Sequence, residues 1–507
     1  MTIERRKFLS MGSAALIGLS LKTDKKIEGS FVNESAAAGH LLRDRAKFPP
    51  PKRTEKVPVV IVGGGISGLS AAWRFYKRGF QDYVLLEMNE RAGGNARWGE
   101  NEITAYPWAA HYVPVPGLRA VHVRELFTDL GILKDNVWEE RALVFAPQER
   151  LFLYGRWQDG IEPAVGLTQK DREQFKRLEE VFTRYRSTGE FTIPLELGLT
   201  PKFAELDRVS FADWLRSQGF DSRPLLWYMN YACRDDYGAL AQDTSAWAGV
   251  HYFASREQEE NGPLTWPEGN GWITRRLLEL VGDRVRTGQM VHKMIPSQRG
   301  VSVFAGDTEY QAQFVIFSAP TFLAAYLQED FPKLQTFVYS PWLTANLTLE
   351  RIPDSQGAEP SWDTVFMDSP TLGYVDATHQ SVSSHLERAV WTFYWALADG
   401  TPAQNRRLLL ERDWNYWKEA ILQDLERVHK DVRRCVSRID IMRMGHAMVR
   451  PSVGSVLSEE RAMLKHRNNR VLFANSDLSG ISIFEEAQFH GVEAAQAVLS
   501  HLSGSHS

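Results

Sequence analysis

Three glycines, Gly63, Gly65 and Gly68, form the pattern Gly-x-Gly-x-x-Gly directly behind a run of mostly β-branched apolar residues, and no other feature limits the fold of this chain so strongly. The run at 57–62 reads as a buried parallel strand. After the glycines, Leu69, Ala72, Trp73 and Tyr76 recur at helical spacing until Gly79. Strand, tight turn and helix in this order open a Rossmann-type unit. The first glycine permits the turn, the second lets the backbone approach a pyrophosphate, and the third lets the helix pack on the strand. Ile66 and Ser67 stand at the helix N-terminus, whose free N–H groups face the phosphates. Residues 82–87 supply the next strand, and Glu87 falls about 20 residues past the last glycine, where a carboxylate accepts hydrogen bonds from the adenosine ribose.

The residues that follow narrow the choice of dinucleotide. Arg91-Ala92-Gly93-Gly94-Asn95-Ala96-Arg97 resembles the Arg-x-Gly-Gly-Arg segment of the FAD-dependent amine oxidoreductase superfamily, which includes monoamine and polyamine oxidases, protoporphyrinogen oxidase and phytoene desaturase-like enzymes. Asn95 stands where that family has arginine, and Arg97 is expected to supply the charge instead. At the far end, Val471-Leu472-Phe473-Ala474-Asn475-Ser476-Asp477 resembles the last strand of the flavin domain, with Asn475 replacing a glycine. The resemblance implies that Asp477, Ile483 and Phe484 contact FAD and that Val291 meets the adenine through its backbone. It also implies that the helix at 485–499 sets its N-terminus against the flavin, where its dipole favours negative charge. Weaker echoes are Ala109-Ala110-His111-Tyr112, residues 267–277, and Phe317-Ser318-Ala319-Pro320.

These matches imply an α/β fold in which a Rossmann-type FAD-binding domain is interleaved with a mixed α+β substrate domain. The FAD-binding pieces are expected at 57–108, 266–335 and 462–507, and the substrate domain at 109–265 and 336–461. Helical spacing stands out at 169–186, 210–218 and 403–429, and strand-like runs at 343–349 and 390–396. No second Gly-x-Gly-x-x-Gly follows a strand, so a pyridine-nucleotide monooxygenase is disfavoured; an electron acceptor of unknown kind, oxygen or another, is expected.

The N-terminus carries a targeting pattern. Arg5-Arg6-Lys7-Phe8-Leu9, followed by the apolar run 11–21, resembles a twin-arginine export signal. The run is too short for a stable membrane span, which takes about 20 apolar residues. Residues 1–38 are read as the signal, with Ala36-Ala37-Ala38 as a cleavage site, and 39–56 as a linker containing Pro49-Pro50-Pro51. The twin-arginine translocon is thus an expected partner during export and the periplasm the expected location. The 59 basic and 63 acidic residues leave no basic surplus for a nucleic acid. Two cysteines, Cys233 and Cys435, leave one disulfide or two free thiols open. No His/Cys cluster has metal-ligand spacing, and neither cysteine lies near 473–484, where some relatives attach FAD; the FAD is expected to be non-covalent.

Catalytic candidates are few, because a flavin takes the hydride itself and the protein mainly orients the substrate. His111 and His446 are the catalytic candidates, His111 as a base or hydrogen-bond donor; His490, on the final helix, reads as a packing or surface residue. Amine-oxidising relatives place a lysine in the strand after the Ala-x-Pro segment, and Thr344 stands there instead. Asp235 and Asp236, together with Glu257, Glu259 and Glu260, form either a solvated charge run or a docking place for a polycation. The expected function is oxidation of a small-molecule amine, with a polyamine as one form. Dehydrogenation of an apolar substrate, or flavin binding without turnover, are the alternatives.

Overall fold

The computed structural model describes residues 26–33, 35–256, 262–355, 357–381, 387–466 and 470–504. Its centre is a seven-stranded sheet, ordered Val285–Arg286, Tyr83–Leu86, Arg53–Val62, Thr308–Phe317, Val301–Ala305 and Val291–Pro296, with Val471–Phe473 also paired to Thr308–Phe317. Arg53–Val62 lies parallel to both neighbours, and its residues Val59 to Val62 are buried. That double burial explains the unbroken apolar run: a central parallel strand has no wet face to alternate toward. Every strand of this sheet except the first few residues of Arg53–Val62 comes from within 57–108, 266–335 and 462–507. The helices Ile66–Lys77, Gly271–Val281 and Phe484–Gly504 pack with one another on one face, around a core that includes Trp73, Phe75 and Phe127.

A second sheet of eight strands, most of them from the stretches expected to form the substrate domain, is ordered Glu28–Phe31, Val436–Arg450, Val338–Leu349, Ala389–Ala396, Tyr374–Asp376, Asp363–Phe366, Glu149–Leu153 and Arg156–Asp159. A helical layer beside it holds Gln169–Arg186, Arg223–Tyr237 and Ala246–Ala254. Thr168 starts the first of these through a capping box with Asp171, and Ser222 caps the second. The architecture is the expected interleaved one of mixed α/β type.

Several boundaries differ from expectation. Residues 403–429 form two helices, Pro402–Glu411 and Trp414–Leu425, because Asp413 turns its carboxylate onto the N–H of Tyr416 and starts a new helix. The first strand of the dinucleotide sheet begins at Arg53 rather than Val57, since residues 53–56 pair with Thr308–Gln311. The largest departure is N-terminal to it. Glu28–Phe31 is already an edge strand of the substrate sheet, and Ala36, Ala37 and Ala38, expected at a cleavage site inside a 1–38 signal, form the first turn of the helix Ala36–Arg43. Alanine has the highest helix propensity, so the same small residues that suit a peptidase also nucleate this turn. The stretch 39–56 is accordingly helix and strand as well as linker. The twin-arginine pattern itself, at 5–21, lies outside the described residues. No helix among the described residues is long and apolar enough to cross a membrane.

Candidate active site

The turn after Val62 opens a cleft of about 1450 Å³ that runs between the two sheets. Gly63 has a φ of +104° there, a conformation suited to glycine. A Cβ on Gly68 would lie 2.0 Å from the carbonyl oxygen of Gly63, so the helix presses onto the strand at the third glycine of the motif. Gly65 is different. Its φ is an ordinary −76°, and a Cβ there would find its nearest protein atom, the Cα of Gly94, 4.0 Å away. Neither backbone nor packing requires glycine at 65; what a side chain would occupy is the cleft itself. Gly93 and Gly94 lie across from it, so the two glycine segments form a cradle of bare backbone.

Glu87, 7% exposed, accepts from the N–H of Gly64 (2.8 Å) and, through its other oxygen, from the backbone and side-chain nitrogens of Asn89 (2.8 Å each). It lines the cleft at the end shared with Val291. Ile66, Ser67, Asn95, Asp477, Ile483 and Phe484 also line it. Asp477 accepts from the N–H of Thr321 (2.8 Å) and the Tyr339 hydroxyl (2.5 Å), and burial raises its pKa. Gly68 is behind the turn, against Gly63, rather than in the cleft.

The arginines depart from expectation. Arg97 turns away, giving its Nε–H to the carbonyl of Gly94 and a terminal N–H to the Met442 sulfur, and it lines a separate hollow with Arg91 on the outer side of the glycine run. The lining of the cleft includes neither of them. A diphosphate there is met by backbone N–H groups and a helix terminus, which act as fixed partial charges without a guanidinium.

At its inner end the cleft meets a second cavity of about 820 Å³; Asn95, Asn270, Ser482, Ile483 and Phe484 line both. Asn270 gives its Nδ2–H to the Tyr112 carbonyl (3.0 Å), which fixes the amide orientation, and its buried Oδ1 has no partner among the described residues. An unpaired buried acceptor costs about 1–3 kcal/mol, so a donor from a bound group is the fitting complement. His111 belongs to this second cavity, within ring contact of Tyr394 (4.6 Å), Tyr112 (5.0 Å) and Trp362 (5.6 Å). Burial lowers its pKa to about 4, so the ring is neutral at pH 7. Its Nδ1 faces the Ala109 carbonyl at 3.3 Å, which places the proton on Nδ1 and leaves Nε2 as an acceptor.

His446 does not join it. That ring lines the cofactor cleft, stacked on Phe322 at 4.5 Å, whereas Met444, two residues earlier on the same strand, lines the cavity; the register of Val436–Arg450 against Val338–Leu349 slips between Met444 and Met448, and this irregularity breaks the alternation that would keep the two on one face. His490 is buried and bonded to the Ser479 hydroxyl at 2.7 Å, within the final helix's packing. Thr344 does line the cavity, bonded to the Trp108 carbonyl (2.6 Å), and brings no charge to it.

Asp235 and Asp236 are not a solvated run. Both line the cavity from the end of the helix Arg223–Tyr237. Asp236 pairs with Arg256 at 2.6 Å, and that guanidinium also covers the Tyr252 ring at 4.0 Å. Among the described residues Asp235 has no such pair. Burial, then the charge of Asp236, raise its pKa to about 7, with Glu149 adding to the effect and Arg256 opposing it. Glu149 and Asp363 are register partners on adjacent parallel strands nearby, and burial raises both. Periodicity could not reveal this convergence, since Glu149 and Asp363 stand 214 positions apart on two strands and Asp235 on a helix; Trp342 and Tyr394 were missed for the same reason. Glu257, Glu259 and Glu260 lie outside the described residues. Cys233 and Cys435 are both free and buried, away from the cleft. Among the described residues no group of three His, Cys, Asp or Glu side chains is placed to hold a metal.

The sequence profile of the flavin containing amine oxidoreductase family matches residues 66–499. The chain belongs to that family. Its members are FAD-dependent oxidoreductases, and FAD is the cofactor for which this cleft has the shape and donors. The chain is 23% identical to an L-amino acid dehydrogenase of Synechocystis over 52% of its own length and 56% of that protein's. It is 24% identical to the flavin-containing amine oxidase B of Bos taurus, over 53% and 51%. The chain thus spans about half the length of the curated relatives it matches. A putrescine oxidase solved with putrescine bound superposes with a TM-score of 0.67 at 18% identity, covering 88% of this chain and 100% of that one. The last likeness is one of fold.

Proposed function

We propose that this family member oxidises an amine bearing a second cationic group, a diamine or polyamine, by hydride transfer to non-covalently bound FAD. The observation that supports this reading is Asp235, a carboxylate with no partnering cation among the described residues that faces a cavity opening onto the flavin cleft. A carboxylate so enclosed is costly unless a cation joins it. An ammonium is that cation, and the faces of Tyr112 and Tyr394 add cation–π attraction. The flavin supplies the hydride acceptor. His111, neutral and with its proton on Nδ1, accepts a hydrogen bond from an N–H of the amine at Nε2 and orients it, and the aromatic walls exclude water. His446 serves the cofactor cleft in this scheme rather than the chemistry.

Anaerobic mixing tests it. Spermidine or putrescine is expected to bleach the flavin absorption band, benzylamine to do so more slowly. Bleaching by apolar polyenes alone would move the protein to the dehydrogenation of apolar substrates, and no bleaching by any compound to flavin binding without turnover.

We further infer export to the periplasm by the twin-arginine translocon, on the strength of Arg5-Arg6-Lys7-Phe8-Leu9. In cell fractionation, the double change Arg5→Lys with Arg6→Lys is expected to shift the protein to the cytoplasm. An unchanged periplasmic share would reject the inference.

A further inference from the structure

We propose that the segment ahead of the strand Arg53–Val62 is part of the cofactor site, a strap hung from the substrate-side sheet that closes the Glu87 end of the cleft and sets how fast FAD leaves. The proposal rests on the cleft taking FAD. It starts from an unusual path. Glu28–Phe31 runs parallel beside Arg438–Ile441 at the edge of the substrate sheet, and the N–H of Val32 extends the ladder to the Ile441 carbonyl (2.9 Å). The Arg443 guanidinium caps the Phe31 ring at 3.7 Å. The chain then leaves this sheet. The helix Ala36–Arg43 carries it to the dinucleotide sheet, where Leu42, 7% exposed, joins the apolar cluster of Leu86, Val291 and Leu327 and lines the cofactor cleft. Phe48 stacks on His292 at 4.1 Å, next in sequence to Val291. The N–H groups of Lys52 and Arg53 finally bond the Asp307 carbonyl, and the strand that leads to the glycine turn begins.

The segment is therefore fastened at one end to each sheet, and Leu42 stands between the two fastenings, on the cleft. A group lying under Leu42 meets apolar surface from the strap in addition to that of Leu86, Val291 and Leu327. Release of that group then includes loosening the strap, so dissociation slows without any new charge in the site. The arrangement also accounts for the cradle's lack of guanidinium: retention comes from enclosure at the nucleoside end as well as from backbone N–H groups at the diphosphate.

Two positions separate the strap from the cleft itself. Gly29 has a φ of +141°, and a Cβ there would lie 1.8 Å from the Ile439 carbonyl oxygen, so Gly29→Val undocks the edge strand at a place that does not line the cleft. Leu42→Ala keeps the strand and removes the contact over the cleft. The FAD-loaded protein is diluted into FAD-free buffer, and release is followed by the rise in free-flavin fluorescence. In parallel, trypsin nicking is followed after Arg43, Arg45 and Lys47, which are exposed. Both variants are expected to release FAD about tenfold faster than the parent, the change that loss of one buried leucine contact allows. Gly29→Val is also expected to be nicked faster. A Gly29→Val protein that is nicked faster yet releases FAD at the parental rate would overturn the proposal. Should Gly29→Val lose the fold, Leu42→Ala carries the same comparison, and parental release from it overturns the proposal equally. A parent protein that takes up no FAD at all would instead strike the cofactor reading beneath it.

Discussion

Replacing Asp235 by asparagine is expected to lower kcat/KM for a diamine by about a hundredfold, with FAD binding unchanged, since removing one member of a buried ion pair costs on the order of 3 kcal/mol. Asparagine keeps the size of the side chain and removes only its charge. The pH profile gives a second readout. The carboxylate titrates at about 7, raised first by burial and then by Asp236. Below that pH it takes up a proton and no longer attracts an ammonium, so kcat/KM of the parent falls toward acid. In Asp235→Asn this acid limb flattens.

Stability moves in the opposite sense. A carboxyl whose pKa rises on folding contributes fully below its unfolded value, 3.8, and that contribution is lost as the pH climbs through about 7. The substrate-free parent is therefore destabilised above pH 7 by this group. Asp235→Asn is expected to melt higher than the parent at pH 8 and level with it near pH 4. A variant that oxidises diamines normally and melts like the parent at both pH values would remove Asp235 from the site.

The second large effect separates two glycines that the motif treats alike. Gly65→Ala is expected to abolish measurable FAD uptake while the apoprotein keeps its melting temperature, because the added methyl meets no protein atom closer than 4.0 Å and enters only the cradle. Gly68→Val is expected to lose both FAD uptake and stability, because its Cβ would sit 2.0 Å from the Gly63 carbonyl and must push the helix off the strand. Thermal unfolding of the apoproteins, beside titration with FAD, distinguishes the two. Normal FAD affinity in Gly65→Ala would mean that the cradle does not hold a diphosphate.

What was legible in the amino-acid order is what acts over short range. The apolar run before Gly63, the spacing of the glycines, and Glu87 at the end of the next strand define a dinucleotide cleft, since strand, turn and helix are contiguous and each step is set by local sterics. The helix Gln169–Arg186 was equally plain, because Thr168 and Asp171 close a capping box within one turn. Arg97 misled because charge near a glycine run says nothing of direction: its guanidinium turns to Gly94 and Met442, away from the cleft. Which histidine shares the second cavity was likewise undetermined, since His446 is turned to the cleft at a register slip between Met444 and Met448 that depends on the neighbouring strand Val338–Leu349. The facing of Asp235, Asp236 and Arg256, the pairing of Glu149 with Asp363, and the return of Glu28–Phe31 to a sheet whose neighbouring strand begins 400 residues later belong to the tertiary structure alone. Contacts across such separations arise only when the two sheets close on each other, and the charge left uncompensated at Asp235 is a product of that closure.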